Sequence, residues 1–593
     1  MKKNWKKAVA LAMASAMMVG SLSACGGNGS TPTNNTTAAP TGGGSTTAAP
    51  TTKANDNTTA APENNVAGIE GWTPFSNRVH ITVPVYDRSK EGYPAVDDNY
   101  WTKWVQTEFG DKYNIDVEYV AIPRGDVMTK YNLLIAADDT PTILMEYDYP
   151  KVAEWASSGA MQVIDLEAFK QVAPNYYQKM VDNNQLAYTD INNETYFVLS
   201  ERPYYNTGYT FLTFVRMDWL RQVGYDHVPN SYEEHKDAIN KIIEAKITDQ
   251  APMPLSLPTT AYCQNFNFRT YPVDEAEWAM HSSLGTPSLS WEPTYKMLKR
   301  QNAEYNMGWY STEYELDADG ADGNTSSQQK TDFINGKSYQ YSQYVGPSVD
   351  WLVSFYENNP DAELAIASSY AVVEPGFVDF PQNRADNPFG MIVGFSSLAT
   401  EDELKAAWMY MEWILAGKDS KGQDVLFTME NGIEGVTYTL NEEGLPVVDA
   451  AYRGTEMLNH NCNIDMTCIV HASKVDGTVE QSIKANVPKG IPQDFTQAML
   501  DNYKVLKEIA DAQHAYSDPV FSVEIKSESE YSATLLSVYQ EASVRLTKCK
   551  PEEFDAIYAE EAKKFLEAGY QEIIDERKAA YEAGNTTKLP WSK

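Results

Sequence analysis

RVHITVPVY (78–86), NYWTKWVQTEF (99–109) and IDVEYV (115–120) follow one another near the start of the aromatic-rich part of the chain, and their reading decides the fold. In the first stretch Val79, Ile81, Val83 and Val85 alternate with other residues, the period of a strand. In the second, Trp101, Trp104, Val105 and Phe109 recur at helical spacing, and Gly110 is expected to end the helix. The third alternates again. Strand, helix and strand in this order imply a right-handed βαβ unit and a mostly parallel sheet. Such sheets bind ligands outside the carboxyl ends of their strands.

The same alternation continues outward. Val127, Tyr131, Leu134 and Ile135 form one stripe of a helix over 125–137. A short apolar strand follows at Thr142–Met145, then a helix over Lys151–Ser158 stopped by Gly159, then a strand over Met161–Ile164. Thr210–Met217 reads as strand and Asp218–Val223 as helix, closed by Gly224. Leu404, Trp408, Met411 and Leu415 share a face of a helix over 400–415. From Pro551 the chain reads as two helices separated by Gly569, with Phe554, Ile557, Tyr558, Phe565 and Leu566 on the first apolar stripe. The fold class expected is α/β with a mainly helical C-terminal extension.

The N-terminus is of another kind. Lys2, Lys3, Lys6 and Lys7 precede an apolar run, Ala8–Gly20, too short for a permanent membrane span. Leu22-Ser23-Ala24-Cys25-Gly26 then resembles the lipobox of bacterial lipoproteins, which implies cleavage after residue 24 and a diacylglycerol on Cys25. Residues 26–70 are a Thr/Ala/Pro/Gly/Asn tether without aromatic residues, unable to offset its ordering entropy by burial. The expected organisation is a signal peptide over 1–24, a lipidated tether over 25–70, and a folded region over 71–593 at the extracellular face of the cell membrane. That region is too long for one ordinary core.

Composition narrows the partners. The formal charge is −35, and loss of the four signal-peptide lysines would bring the mature chain to about −39. Such a surface disfavours nucleic acid and anionic lipid. Aromatics make up 12% of the chain, with 38 Tyr and 13 Trp, residues that suit both cores and wet clefts. Five cysteines exclude a disulfide scaffold. His460, Cys462, Cys468 and His471 have a spacing that fits no common zinc frame; a local Cys462–Cys468 bridge and two free thiols both remain open. No metal and no cofactor are expected.

Several blocks together resemble a known family. They are Asn132–Ile143; Trp155–Leu166; Ala173-Pro174-Asn175-Tyr176; Val215-Arg216-Met217-Asp218-Trp219-Leu220 with Gly224 and Pro229; Phe333-Ile334-Asn335-Gly336-Lys337; Asn431–Val436; and the 554–581 helices. In order and spacing they resemble family 1 extracellular solute-binding proteins, in the long subgroup found among lipoproteins of Gram-positive bacteria. The resemblance implies a two-lobed periplasmic-binding-protein-like fold with a hinge. It puts one lobe at approximately 71–205 plus 360–430 and the other at approximately 206–359 plus 431–593. It also implies a monomeric receptor that captures an oligosaccharide between the lobes and serves the transmembrane subunits of an ABC permease. Many members carry a calcium loop after the "D-W-L" block. Residues 246–252 lack such ligands, and Asp317, Asp319, Asp322 and Asn324 do not meet the pattern of an EF-type loop.

A sugar needs aromatic faces against its C–H surfaces and forked polar groups against its hydroxyls. The expected ligand residues are therefore Tyr86, Asp87 and Arg88 after the first strand, and Glu146, Tyr147 and Asp148 after the 142–145 strand. Tyr205 at a lobe crossing, Trp278 and Trp309 in a loop-rich span, Tyr344 and Trp351 after the "F-x-x-G-K" block, and Arg384 complete the set. Arg216 and Asp218 read as a structural pair, and Trp408 and Trp413 as core. The rival readings are a secreted glycoside hydrolase and a ligand-sensing lipoprotein. No G-x-S-x-G, H-E-x-x-H or P-loop pattern occurs in the folded part.

Overall fold

In the computed structural model the strand Val79–Asp87 pairs in parallel with Ile115–Pro123 along its whole length, so that Asp87 lies opposite Pro123. Between them runs the helix Tyr100–Val105, opened by a capping box in which Asn99 accepts from the Trp101 and Thr102 amides and the Thr102 hydroxyl accepts from the Asn99 amide. Gly110 does not end this helix. The chain continues through a π turn, Gln106–Gly110, and a last turn, Asp111–Tyr113. A Cβ at Gly110 would stand 2.7 Å from the Ile115 carbonyl oxygen, so the glycine serves close helix–strand packing. The stop is Asn114, in the left-handed conformation at φ 60°.

The structure describes residues 68–89, 92–201, 211–257, 275–281, 286–317, 327–344, 350–367, 383–384, 389–449, 451–459, 462–463, 465–470, 496–501, 504, 515–516 and 519–586. Residues Asn65–Lys593 form one unit, separate from Met1–Asn64. The expected signal peptide, Cys25, the expected tether up to residue 67 and Tyr205 lie outside the described residues.

The expected mostly parallel sheet is corrected. The strand Phe389–Phe395 lies between Ile143–Glu146 and Phe197–Glu201 and runs antiparallel to both. It returns after the excursion through 211–367, so the handedness rule for consecutive strands does not govern its direction. Thr82 and Thr142 link the parallel pair to this sheet: each backbone amide donates to the other's hydroxyl, at 3.0 and 2.7 Å. The expected strand over 161–164 reduces to one bridge, Met161 to Ser396. Over these strands lies the helix Glu401–Ala416, with Trp408 and Trp413 in the core as expected.

A second sheet has Phe211–Arg216 at its centre, antiparallel to Gln340–Tyr344 and Leu364–Ala367. Its core gathers Val215, Trp219, Leu220, Ile239, Ile242, Trp309 and Tyr339. A third core is helical. Glu292–Asn306 packs with Lys526–Lys548, Phe554–Phe565 and Gln571–Glu582 through Leu298, Leu535, Tyr539, Leu546, Phe565 and Ile573. Gly569, at φ 116°, bends the chain there and leaves room for the Tyr531 ring.

The C-terminal half contributes to more than one core. Met457, Cys462, Met466, Cys468, Ile469 and Val470 join the first core, whereas the 526–582 helices build the third with residues 289–298. Among the described residues no helix is long and apolar enough to cross a membrane.

Candidate ligand-binding site

The carboxyl edge of the first sheet brings together residues that the sequence separates widely. Tyr86 ends one strand and Glu146 another; the Tyr86 hydroxyl donates to Glu146 Oε2 at 3.0 Å. Tyr86 is buried, and burial with the Glu146 carboxylate beside it holds its phenol well above the ordinary range, so it remains a donor. Glu146 Oε1 accepts from the Tyr147 backbone amide at 2.8 Å. Arg124, directly after the 115–123 strand, lays its guanidinium over the Tyr86 ring, 4.8 Å from the centroid. Burial alone would lower its pKa, but Tyr86, Glu146, Tyr147 and Asp465 raise it.

Arg88 pairs with Asp465, which arrives from the other end of the sequence; the pair is largely enclosed, at 17% and 2% side-chain exposure. Tyr147 is half-buried, and its hydroxyl contacts Cys468 Sγ at 3.7 Å. Burial and the neighbouring Asp465 push the Cys468 thiol up to about 12, which keeps it protonated and unreactive. Asp87 folds back to accept from the Ser89 amide at 2.7 Å. Asp148 caps the helix Tyr149–Ser157 by accepting from the Lys151 amide. Its surface is open to water, yet protein crowds it on most sides. This crowding and Glu146 push its carboxyl up to about 6, against the pull of the Lys151 amide and ammonium.

The other expected site residues do not join this edge. Trp278, Trp309 and Trp351 are buried at 1%, 0% and 2% exposure. Trp351 is packed among Phe214, Phe333 and Tyr341, so it has no face for a sugar. Trp309 lies against His235 and donates its indole N–H to Asn240 at 2.9 Å. The expectation that these rings stack on ligand is therefore replaced by core packing: an isolated Trp in a loop-rich sequence is as good a core plug as a platform. Tyr344 ends the 340–344 strand and Arg384 lies in a two-residue strand paired with Ala515–Tyr516; for both, the description stops at the backbone. Tyr205 lies outside the described residues.

Sequence reasoning missed Arg124 and Asp465. Arg124 carried a usable signal, being the first residue past a strand whose partner strand had already been chosen. Asp465 carried none. Cys462 and Cys468 are free thiols. Among the described residues no three His, Cys, Asp or Glu side chains gather as a metal site.

The sequence matches the model of the bacterial extracellular solute-binding protein family over residues 94–416, more than half of the chain. The chain belongs to that family. No curated protein matches the sequence. Among solved structures, the solute-binding protein is similar to the alginate-binding protein AlgQ2, crystallised without calcium ion, with TM-score 0.56 and 14% identity over 86% of this chain and 99% of that one. It is also similar to an HMO-binding, ABC-transporter-associated solute-binding protein from Bifidobacterium longum infantis ATCC 15697, with TM-score 0.54 and 13% identity over 86% and 99%. An extracellular solute-binding protein from Bifidobacterium longum subsp. infantis gives TM-score 0.54 and 14% identity over 87% and 100%. The solute-binding protein thus has the two-lobed periplasmic-binding-protein-like fold. The strand-end cluster borders the first core, and the sheet centred on Phe211–Arg216 carries the second.

Proposed function

We propose that the protein is the membrane-anchored extracellular receptor of an ABC importer, that it captures an oligosaccharide between its lobes, and that it delivers the sugar to a permease. The observation that carries this reading is the convergence of Tyr86, Arg88, Arg124, Glu146 and Tyr147 at the carboxyl edge of the first-lobe strands. That set offers a half-buried aromatic, carboxylate acceptors and a forked donor, the chemistry a sugar's C–H faces and hydroxyls require. Two of the fold relatives carry names that state alginate and HMO binding, in line with a glycan ligand. The lipobox-like run before Cys25 supports a diacylglycerol anchor, with residues 26–70 as its leash.

No bond is made or broken. The ligand shifts an open–closed equilibrium because the closed form alone touches it from both lobes, and the closed form docks on the permease.

The test is a thermal-shift and calorimetry screen of the tether-free chain against neutral and acidic oligosaccharides, with product analysis of the same wells. A raised melting temperature with the sugar intact is the expected result. Sugar cleavage would move the protein to the hydrolases. No response to any glycan would remove the carbohydrate assignment.

A further inference from the structure

A segment from far along the chain is stitched onto the strand-end edge. The Met457 and Ile469 carbonyls accept from the Trp101 indole at 3.1 Å and from the Tyr176 hydroxyl at 2.6 Å, and the Val470 carbonyl accepts from the Glu201 amide at 3.2 Å. The Asn459 amide donates to the Asn463 side chain at 3.0 Å, and that side chain donates in turn to the Met429 carbonyl. The segment is thereby fixed to helices and strands of the first core, and both Asp465 and Cys468 are buried. It lies outside residues 94–416, the part of the chain that matches the family model.

A chain of hydrogen bonds runs from the candidate site into this segment. The Tyr147 hydroxyl donates to Cys468 Sγ at 3.7 Å, Cys468 Sγ donates to Asp465 Oδ1 at 3.7 Å, and Asp465 Oδ2 accepts from the Arg88 guanidinium. A thiol can accept from a phenol and donate to a carboxylate at once only in its neutral form. Burial and the Asp465 charge keep Cys468 in that form. The other end of Tyr147 is fixed as well, since its backbone amide donates to Glu146 Oε1 at 2.8 Å. Held at both ends, this half-buried residue directs its hydroxyl at Cys468, and its ring is what remains for a ligand at the edge.

We propose that Cys468 is a positioning residue of the ligand site: seated by Asp465, it holds the Tyr147 phenol inward, so that Tyr147 meets the ligand through its ring face and not through its hydroxyl. A sugar then gains from Tyr147 the cover of a C–H surface, and its hydroxyls find their partners elsewhere on the edge. The proposal rests on the carbohydrate reading above and adds how one side chain of that site is set.

The experiment is calorimetry of wild type, C468A, C468S, Y147F and the double variant C468A/Y147F against malto-, xylo- and galacto-oligosaccharides and an oligouronate, each protein being kept below its own melting temperature. C468A removes both hydrogen bonds of the thiol, whereas C468S restores a donor and an acceptor on a smaller atom. Y147F keeps the ring and removes the hydroxyl. C468A and Y147F are each expected to bind about 3- to 10-fold more weakly, the double variant no more weakly than either, and C468S close to wild type. Y147F keeps the test decisive should C468A unfold. Wild-type affinity in Y147F, or in folded C468A with only its melting temperature lowered, would overturn the role of Cys468 and leave the receptor reading standing. Losses that add in the double variant would mean that the Tyr147 hydroxyl reaches the ligand, which overturns the proposal as well. C468S as weak as C468A would assign the loss to packing, with the same consequence. No glycan binding by wild type would remove the receptor reading and this proposal with it.

Discussion

Arg124, just past the strand that pairs with Val79–Asp87, and Arg216, at the end of the central strand of the second sheet, both stand at strand ends but in opposite surroundings. Arg216 is sealed. It grips Asp218 bidentately at 2.8 and 2.7 Å, and Trp219 and Phe355 lie against its guanidinium at 4.9 and 5.6 Å. Gly336, at φ 70°, passes beside it so closely that a Cβ would strike the Asn359 side chain. Arg124 lies over one aromatic face, and among the described residues no acceptor is within hydrogen-bond distance of its guanidinium. The blocks that carried the family resemblance therefore meet one another: "R-x-D-W-L" and "F-x-x-G-K" join at Arg216 and Gly336. Likewise Asn175 and Tyr176 of the "A-P-N-Y" block are held by buried Glu412, which accepts both their amides. Such residues build the lobes. They identify the fold and say nothing of the ligand.

This contrast can be broken most directly at Arg216. Replacing it with alanine leaves Asp218 without its partner in an enclosed site and should cost about 3–5 kcal/mol of stability in chemical denaturation. Ligand affinity of the folded fraction should not change; an affinity loss at full stability would mean that the second lobe also presents this arginine to the ligand. Trp351→Ala should behave in the same way, losing about 3–5 kcal/mol of stability through the cavity it leaves. Tyr147→Ala should show the reverse. Calorimetry is expected to find binding weaker by about 1–3 kcal/mol, with little change in unfolding midpoint, because its ring is half-buried at the strand-end edge.

The smallest effects are pH slopes of opposite sign. The Asp148 carboxyl is pushed up to about 6, above its unfolded value of about 3.9, so the folded chain holds the extra proton between those values. Its contribution to stability falls as pH rises through that window and is fully lost above it. Asp148→Asn keeps a capping oxygen and should raise the urea midpoint at pH 7.5 while matching wild type near pH 4. His281 works the other way. It stacks between Trp291 and Tyr570, and burial with the nearby Arg577 charge lowers it to about 4. The unfolded chain, with a value of about 6.5, takes up the proton first, so stability is lost as pH falls from about 6.5 towards 4. His281→Gln should flatten that acid limb in the same titration.

Much of the fold was legible because its signals are local. The alternation over 79–86, the stripes over 99–109 and 400–415, and the breakers at Gly159 and Gly569 all act between near neighbours. Even the misread stop at Gly110 was wrong by one turn, because the close approach of Ile115 that requires the glycine is a tertiary contact. The candidate site was half legible. Tyr86, Arg88, Glu146 and Tyr147 follow from the rule that places ligands at strand ends. The misplaced tryptophans show its limit, since burial depends on what packs from elsewhere in the chain.

By itself the sequence determined most of the elements and their order, and it singled out the strand-end edge as the candidate for a ligand site. Only the tertiary structure decided the direction of the 389–395 strand, the burial of Trp309 and Trp351, and the union of Arg88 with Asp465 across most of the folded region. Periodicity and capping are set by residues a few positions apart, whereas partners and burial are set by chain segments brought together only when the lobes assemble.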